Sequence, residues 1–179
     1  IYRMKRFFLF LLFLPIISLS QNLKTYVPDD NFENYLEANG MGDGIPLNDS
    51  VFAANISSVT YLDVISLSIN DLTGIEDFTS LIDLKCSYNF ISSLDISSNI
   101  NLITLWSGHN QLISLDVTSN TLLTDLRVDY NQLSNLDVSQ NSFLTYFNCR
   151  YNQLTNIDLS QNLLLYSFEC DSNQLSNLD

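Results

Sequence analysis

The chain has 179 residues, of which 20 are acidic and 7 basic, giving a net charge of −13; charged residues make up only 15 % of it. That balance excludes nucleic-acid binding, which needs a basic face, and adhesion to anionic membranes. One histidine, His109, and three scattered cysteines leave almost no material for a zinc site or a Ser-His-Asp triad, so no catalytic residue, metal or cofactor is assigned.

Residues 1–20 read as a secretory signal peptide. Met4-Lys5-Arg6 precede the apolar run from Phe7 to Leu14, and Pro15-Ile16-Ile17-Ser18-Leu19-Ser20 follow. Ile1, Tyr2 and Arg3 stand ahead of the initiator Met4. A membrane span needs about 20 apolar residues, and this run is shorter and ends at proline. The mature chain is therefore expected outside the cell or on its surface, with no inserted segment. Residues 21–58 are expected to form a helical N-terminal cap. Pro28-Asp29-Asp30 opens a helix with Phe32, Tyr35 and Leu36 on one face, Asp30 and Glu33 have capping-box spacing, and Asn39-Gly40 is a stop signal. The stretch from Asn39 to Asp49 sets Asp43, Asn48 and Asp49 among glycines. It is only loosely like a calcium loop and lacks the closing bidentate glutamate.

Residues 59–179 repeat at an offset of 21. Leu81, Leu102, Leu123, Leu144 and Leu165 open successive units, followed three places on by Leu84, Leu105, Leu126, Phe147 and Phe168. Asn89, Asn110, Asn131, Asn152 and Asn173 share the ninth place. An earlier, shorter unit runs from Leu62 through Ile65, Leu67 and Asn70 to Phe78, which puts Asn70 in the same asparagine column. The unit is Leu-x-x-Leu-x-Cys/Val-x-x-Asn-x-Leu-x-x-Leu-Asp-Val-Ser-x-Asn. Alternation over its first six places predicts a short strand with one buried face. Stacked units pair these strands in parallel, and the asparagine turns inward to satisfy shielded backbone groups. The Leu-Asp-Val-Ser stretch is too short and too β-branched for an α-helix, so the outer side is expected to be extended or 3₁₀. About six units are counted, the last broken off at Asp179. No closing cap follows them, so the chain reads as a fragment whose stretch 21–179 self-associates through its last coil.

With this motif the chain resembles the leucine-rich repeat family, whose repeats span about 20–29 residues. The Leu-Asp-Val-Ser-x-Asn ending and the entry Leu72-Thr73-Gly74-Ile75-Glu76-Asp77-Phe78 look like secreted, internalin-like repeat proteins of the Bacteroidetes type. The resemblance implies an α/β right-handed superhelix with short parallel strands on a concave face and a small helical N-terminal cap. It also implies a recognition role.

Candidate chemistry is sparse. Cys86, Cys149 and Cys170 occupy the sixth place, beside Leu67 and Val128, and read as small buried hydrophobes rather than a disulfide pair or metal ligands. Asp95, Asp116, Asp137, Asp158 and Asp179 form a column read as turn acceptors for Ser97, Thr118, Ser139 and Ser160, and not as a calcium edge. The variable places two, three, five, seven and eight build the concave face. There lie Lys85, Arg127 and Arg150, Trp106, the eighth-place column Tyr88, His109, Tyr130 and Tyr151, and Asp129; Tyr146 and Tyr166 add to the aromatic stripe. Aromatics with arginine are the composition of interface anchors. The sequence therefore predicts a surface recognition module for a protein or glycan ligand. The alternative is the non-catalytic targeting region of a larger secreted hydrolase. A featureless structural spacer fits less well with the clustering of basic and aromatic residues.

Overall fold

The computed structural model describes residues 23–176; the expected signal peptide and Leu178–Asp179 lie outside them. The chain opens with a cap. Strand β1 (Lys24–Tyr26) pairs antiparallel with β2 (Ser50–Phe52), Thr25 opposite Val51. Between them runs helix α1 (Asp30–Ala38), which buries Phe32 and Leu36 against the first coil, the Phe32 and Phe78 rings lying 6.2 Å apart. A single turn, α2 (Ala53–Ile56), leads into the coils.

The helix starts differently from the expected Asp30–Glu33 box. Asp29 is the N-cap, its Oδ1 accepting from the backbone N–H groups of Asn31 and Phe32. Glu33 is fully buried and reaches away from the cap, accepting from the N–H groups of Asn48 and Asp49. Asp30 alone has the box spacing to Glu33, yet it is the first residue of the helix itself. Asp29 takes the role because its second oxygen also accepts from the N–H groups of Asn70 and Asp71 in the first coil. One carboxylate thus joins the helix end to the repeats. Close packing of cap on coil explains Gly74 as well. Its φ is +103°, and a Cβ there would stand 2.8 Å from the Tyr26 carbonyl oxygen.

The coils stack as a solenoid with one six-stranded parallel sheet: β3 (Tyr61–Asp63), β4 (Asp83–Lys85), β5 (Thr104–Trp106), β6 (Asp125–Arg127), β7 (Tyr146–Asn148) and β8 (Ser167–Glu169). The first five of these strands bury only their central residues, Leu62, Leu84, Leu105, Leu126 and Phe147, and these pair in register with one another and with the half-buried Phe168 of β8. The register corrects the reading of the first unit. Leu62 pairs with Leu84, a step of 22, so Leu62 sits at place four and not at the opening place. Val64, fully buried, therefore fills the sixth place where Leu67 was expected. The outer side has a 3₁₀ turn at Ile75–Asp77 and is extended with tight turns in the following coils. No helix among the described residues is long and apolar enough to cross a membrane.

The ninth-place asparagines form a ladder whose every rung bonds back to the preceding coil. Asn131 is typical: its Oδ1 accepts from Leu112 N–H at 2.9 Å, and its Nδ2 donates to the carbonyls of Ser107 and Val128 at 3.0 and 3.1 Å. Asn89, Asn110, Asn152 and Asn173 repeat the pattern. Asn70 does not belong to it. It is exposed and turns to Asp29 and to the Ser68 carbonyl, because the longer first coil places Leu67 where the ladder asparagine would be. A second column escaped the sequence reading, although its asparagine recurs in the motif. Asn99, Asn120, Asn141 and Asn162 are buried, and each Nδ2 donates to two carbonyls of the preceding coil.

Candidate functional site

Places three and five of each strand point away from the core, so the concave face carries two parallel columns of side chains about 4.8 Å apart from coil to coil. On it cations and rings alternate. Lys85 Nζ lies 5.1 Å from the Tyr61 ring centroid and 4.4 Å from that of Trp106. The Arg127 guanidinium lies 4.1 Å from Trp106 on its other side and 4.5 Å from Tyr146. Tyr61, Lys85, Trp106, Arg127 and Tyr146 thus form one run in which every cation is held between two rings. The Trp106 indole N–H donates to Asp125 at 3.1 Å, and Arg127 grips the same carboxylate through Nε and Nη2. That hydrogen-bonded pairing holds the Arg127 guanidinium still more firmly protonated.

Arg150 lies apart from this run. It donates to Glu169 at 3.0 Å and pairs with Asp171 at 2.6 Å, while Glu169 also accepts from the Tyr146 hydroxyl. The three arginine and lysine side chains expected as ligand anchors are therefore bound to carboxylates of their own face, Lys85 facing Asp83 at 3.9 Å. The other Asp83 oxygen is buried without a hydrogen-bond partner, and burial raises the carboxyl above its ordinary range.

Tyr88, His109, Tyr130 and Tyr151 stack as a separate column at the turn edge. Successive ring centroids are 4.1 Å apart with planes 12° to 16° from parallel. All four residues have left-handed backbone, φ between 51° and 59°. The backbone at this place turns sharply to deliver the next residue into the ladder, and stacking offsets the cost of the strained φ. His109 Nε2 is 3.6 Å from Asp129, whose carboxyl is raised by burial. Asp129 fits there because Gly108 leaves room: a Cβ on Gly108 would stand 2.5 Å from its Oδ1. Tyr146 and Tyr166 belong to neither end of this stack. Tyr146 lies in the cation run, and Tyr166 stands before the strand, 81 % exposed.

Tyr61 and Asp63 are missing from the sequence-derived face, since the first coil was read three places out of step. The apolar pair Leu62 and Val64, matching Leu84 and Cys86, is the signal that fixes them. The three cysteines are free, and burial pushes the Cys86 and Cys149 thiols up to about 12, so neither is a thiolate. Hydrogen bonds from Ser97, Thr118, Ser139 and Ser160 hold the carboxyls of Asp95, Asp116, Asp137 and Asp158 below their ordinary range, as turn acceptors. Asp30, Glu33 and Asp49 lie close enough to hold a cation, but both Glu33 oxygens accept backbone N–H groups. In the cap loop, Asp43 is taken by Lys24 and the Asn48 amide.

No protein-family model matches the chain. It is 42 % identical over 80 residues to internalin J of Listeria monocytogenes, a match covering 45 % of this chain and 8 % of that protein. A solved structure of the functional domain of that internalin, which includes a cysteine ladder, superposes with a TM-score of 0.81 at 40 % identity, over 90 % of this chain and 36 % of the other. A leucine-rich repeat protein of Leptospira interrogans (TM-score 0.60, 23 % identity, 69 % of this chain and 34 % of that one) shares the fold. A second Listeria monocytogenes internalin does so too (0.57, 19 %, 85 % and 58 %). The chain spans about a third of the first of these structures.

Proposed function

We propose that this chain, which is an internalin-like leucine-rich repeat protein, is an exported recognition module that binds a protein partner through its concave strand face. The observation that carries this reading is the run from Tyr61 to Tyr146. Large rings and cations stand on a solvent-facing sheet, fixed in place by Asp125 and by one another. Such pre-ordered aromatic and arginine side chains lose little entropy when a partner covers them, which is what interface hot spots require. The leader at residues 1–20 supports a site of action outside the cell or on its surface.

The test is a binding screen of the chain against arrayed extracellular proteins and glycans, repeated with Trp106→Ala plus Arg127→Ala. Loss of at least about thirtyfold in affinity, a hot-spot effect of ~2 kcal/mol, is expected with unchanged circular dichroism. Thr121→Ala, on the exposed outer side, should leave binding intact. Equal binding by the double variant moves the site off the concave face. Retention only of glycan hits replaces the protein partner by a sugar.

A further inference from the structure

Resting on the concave-face reading above, we infer that the group this face takes is cationic, an arginine or lysine side chain of the partner seated on the face of the Tyr61 ring opposite Lys85, beside Asp63. Composition alone points the other way, since three basic residues gather on this face and invite an acidic ligand. The structure removes them from play: Lys85, Arg127 and Arg150 each already face a carboxylate of the same surface. What is left over is negative. Asp63 has only the Tyr61 hydroxyl and the Ile65 N–H as donors, and among the described residues it forms no ion pair. The whole chain carries −13, so long-range attraction favours a basic partner.

The geometry then picks the seat. In the run Tyr61, Lys85, Trp106, Arg127, Tyr146, rings and cations alternate, and Trp106 shows that one ring here accepts a cation on each face. Tyr61 has Lys85 on one face only, and among the described residues no other cation approaches it. It is 52 % exposed. An incoming guanidinium or ammonium would extend the alternation by one step, with Asp63, bonded to the Tyr61 hydroxyl, beside it for a charge-assisted hydrogen bond. An acidic segment would meet like charge there, and a pyranose stacked on the ring would leave the uncompensated charge of Asp63 unused.

The probe is the peptide acetyl-Gly-Arg-Gly-Arg-Gly-amide, with a citrulline counterpart that keeps shape and loses charge. Binding is followed by NMR from the Tyr61 ring and the Trp106 indole N–H at constant ionic strength. A saturable shift centred on Tyr61 is expected with the arginine peptide, at least fivefold weaker with citrulline. Tyr61→Leu should weaken it about fivefold while Tyr61→Phe stays within twofold, each variant checked for unchanged circular dichroism. The inference is overturned by no saturable shift, by equal binding in Tyr61→Leu, or by tighter binding of acetyl-Gly-Glu-Gly-Glu-Gly-amide or of maltose, each titrated in the same way. If the double variant of the previous section still loses its partner while the arginine peptide fails, the concave-face reading stands and the cationic class falls. If the arginine peptide binds but the double variant keeps its partner, the seat is real and the larger interface lies elsewhere.

Discussion

Replacing Asn131 by alanine should cost the solenoid about 3–5 kcal/mol. The arithmetic follows from which groups lose their only partner. Leu112 N–H bonds to Asn131 Oδ1 alone, so alanine leaves a buried donor unpaired, worth about 1–3 kcal/mol. The carbonyls of Ser107 and Val128 keep a second donor, from Asn110 and Asn152 respectively. Losing the Asn131 bonds to them therefore costs only the ordinary ~0.5–1.5 kcal/mol each, without an orphaned acceptor. These terms together centre on about 4 kcal/mol. In urea, at a slope of about 2 kcal/mol per molar, the midpoint should fall by well over ~1 M. Trp106 fluorescence reports on the neighbouring coil, and the Leu112 amide should exchange with solvent much faster. Asn70→Ala is the control. This residue is exposed and outside the ladder, so it should cost less than ~1 kcal/mol. Equal losses for the two variants would refute the assignment of the ladder and of the first coil's register together.

Ser107 is fully buried in the sixth-place column, and its hydroxyl has no partner. Ser107→Cys, matching Cys86 and Cys149 in the same column, should stabilise the chain by about 1 kcal/mol and raise Tm by roughly 2–4 °C; a lower Tm by calorimetry would show that the hydroxyl is satisfied after all. In the cap, the Lys24 ammonium holds the Asp43 carboxyl down from 3.8 to about 2. A depressed folded-state value means that this contribution is complete above pH 3.8 and is lost as pH falls from there through about 2. Asp43→Asn should flatten that part of the acid limb in a circular-dichroism titration. A limb of unchanged steepness would assign the acid sensitivity to other carboxylates.

The 21-residue period made the strands, the buried fourth and sixth places and the asparagine column readable, because each coil repeats one local pattern against an identical neighbour. The first coil broke that logic. Leu62, Ile65 and Leu67 match the spacing of Leu81, Leu84 and Cys86 as well as Leu62 and Val64 match Leu84 and Cys86. Only pairing of strands decides between them, and it shifted Tyr61 and Asp63 onto the concave face. The helix cap differs from its local spacing for a related reason: Asp30–Glu33 is the better local box, but contact with Asn70 and Asp71, about forty residues on, selects Asp29. The locking of Arg127 by Asp125 was within reach, since both lie on one strand two places apart. That of Lys85 and Arg127 by Trp106 was not, since it depends on side-chain directions in adjacent coils.

The ladder has a direction. Every ninth-place asparagine reaches back: Asn110 accepts from Ile91, Asn131 from Leu112, Asn152 from Leu133, and Asn173 from Leu154. The second column does the same through Asn120, Asn141 and Asn162. No coil is finished by its own residues; the next one finishes it. Cutting the stack after any coil therefore strands that coil's N–H donors, because the oxygen that accepts them belongs to the coil removed. The cap end is built the other way: there Asp29, ahead of the repeats, supplies the acceptor for the Asn70 and Asp71 N–H groups.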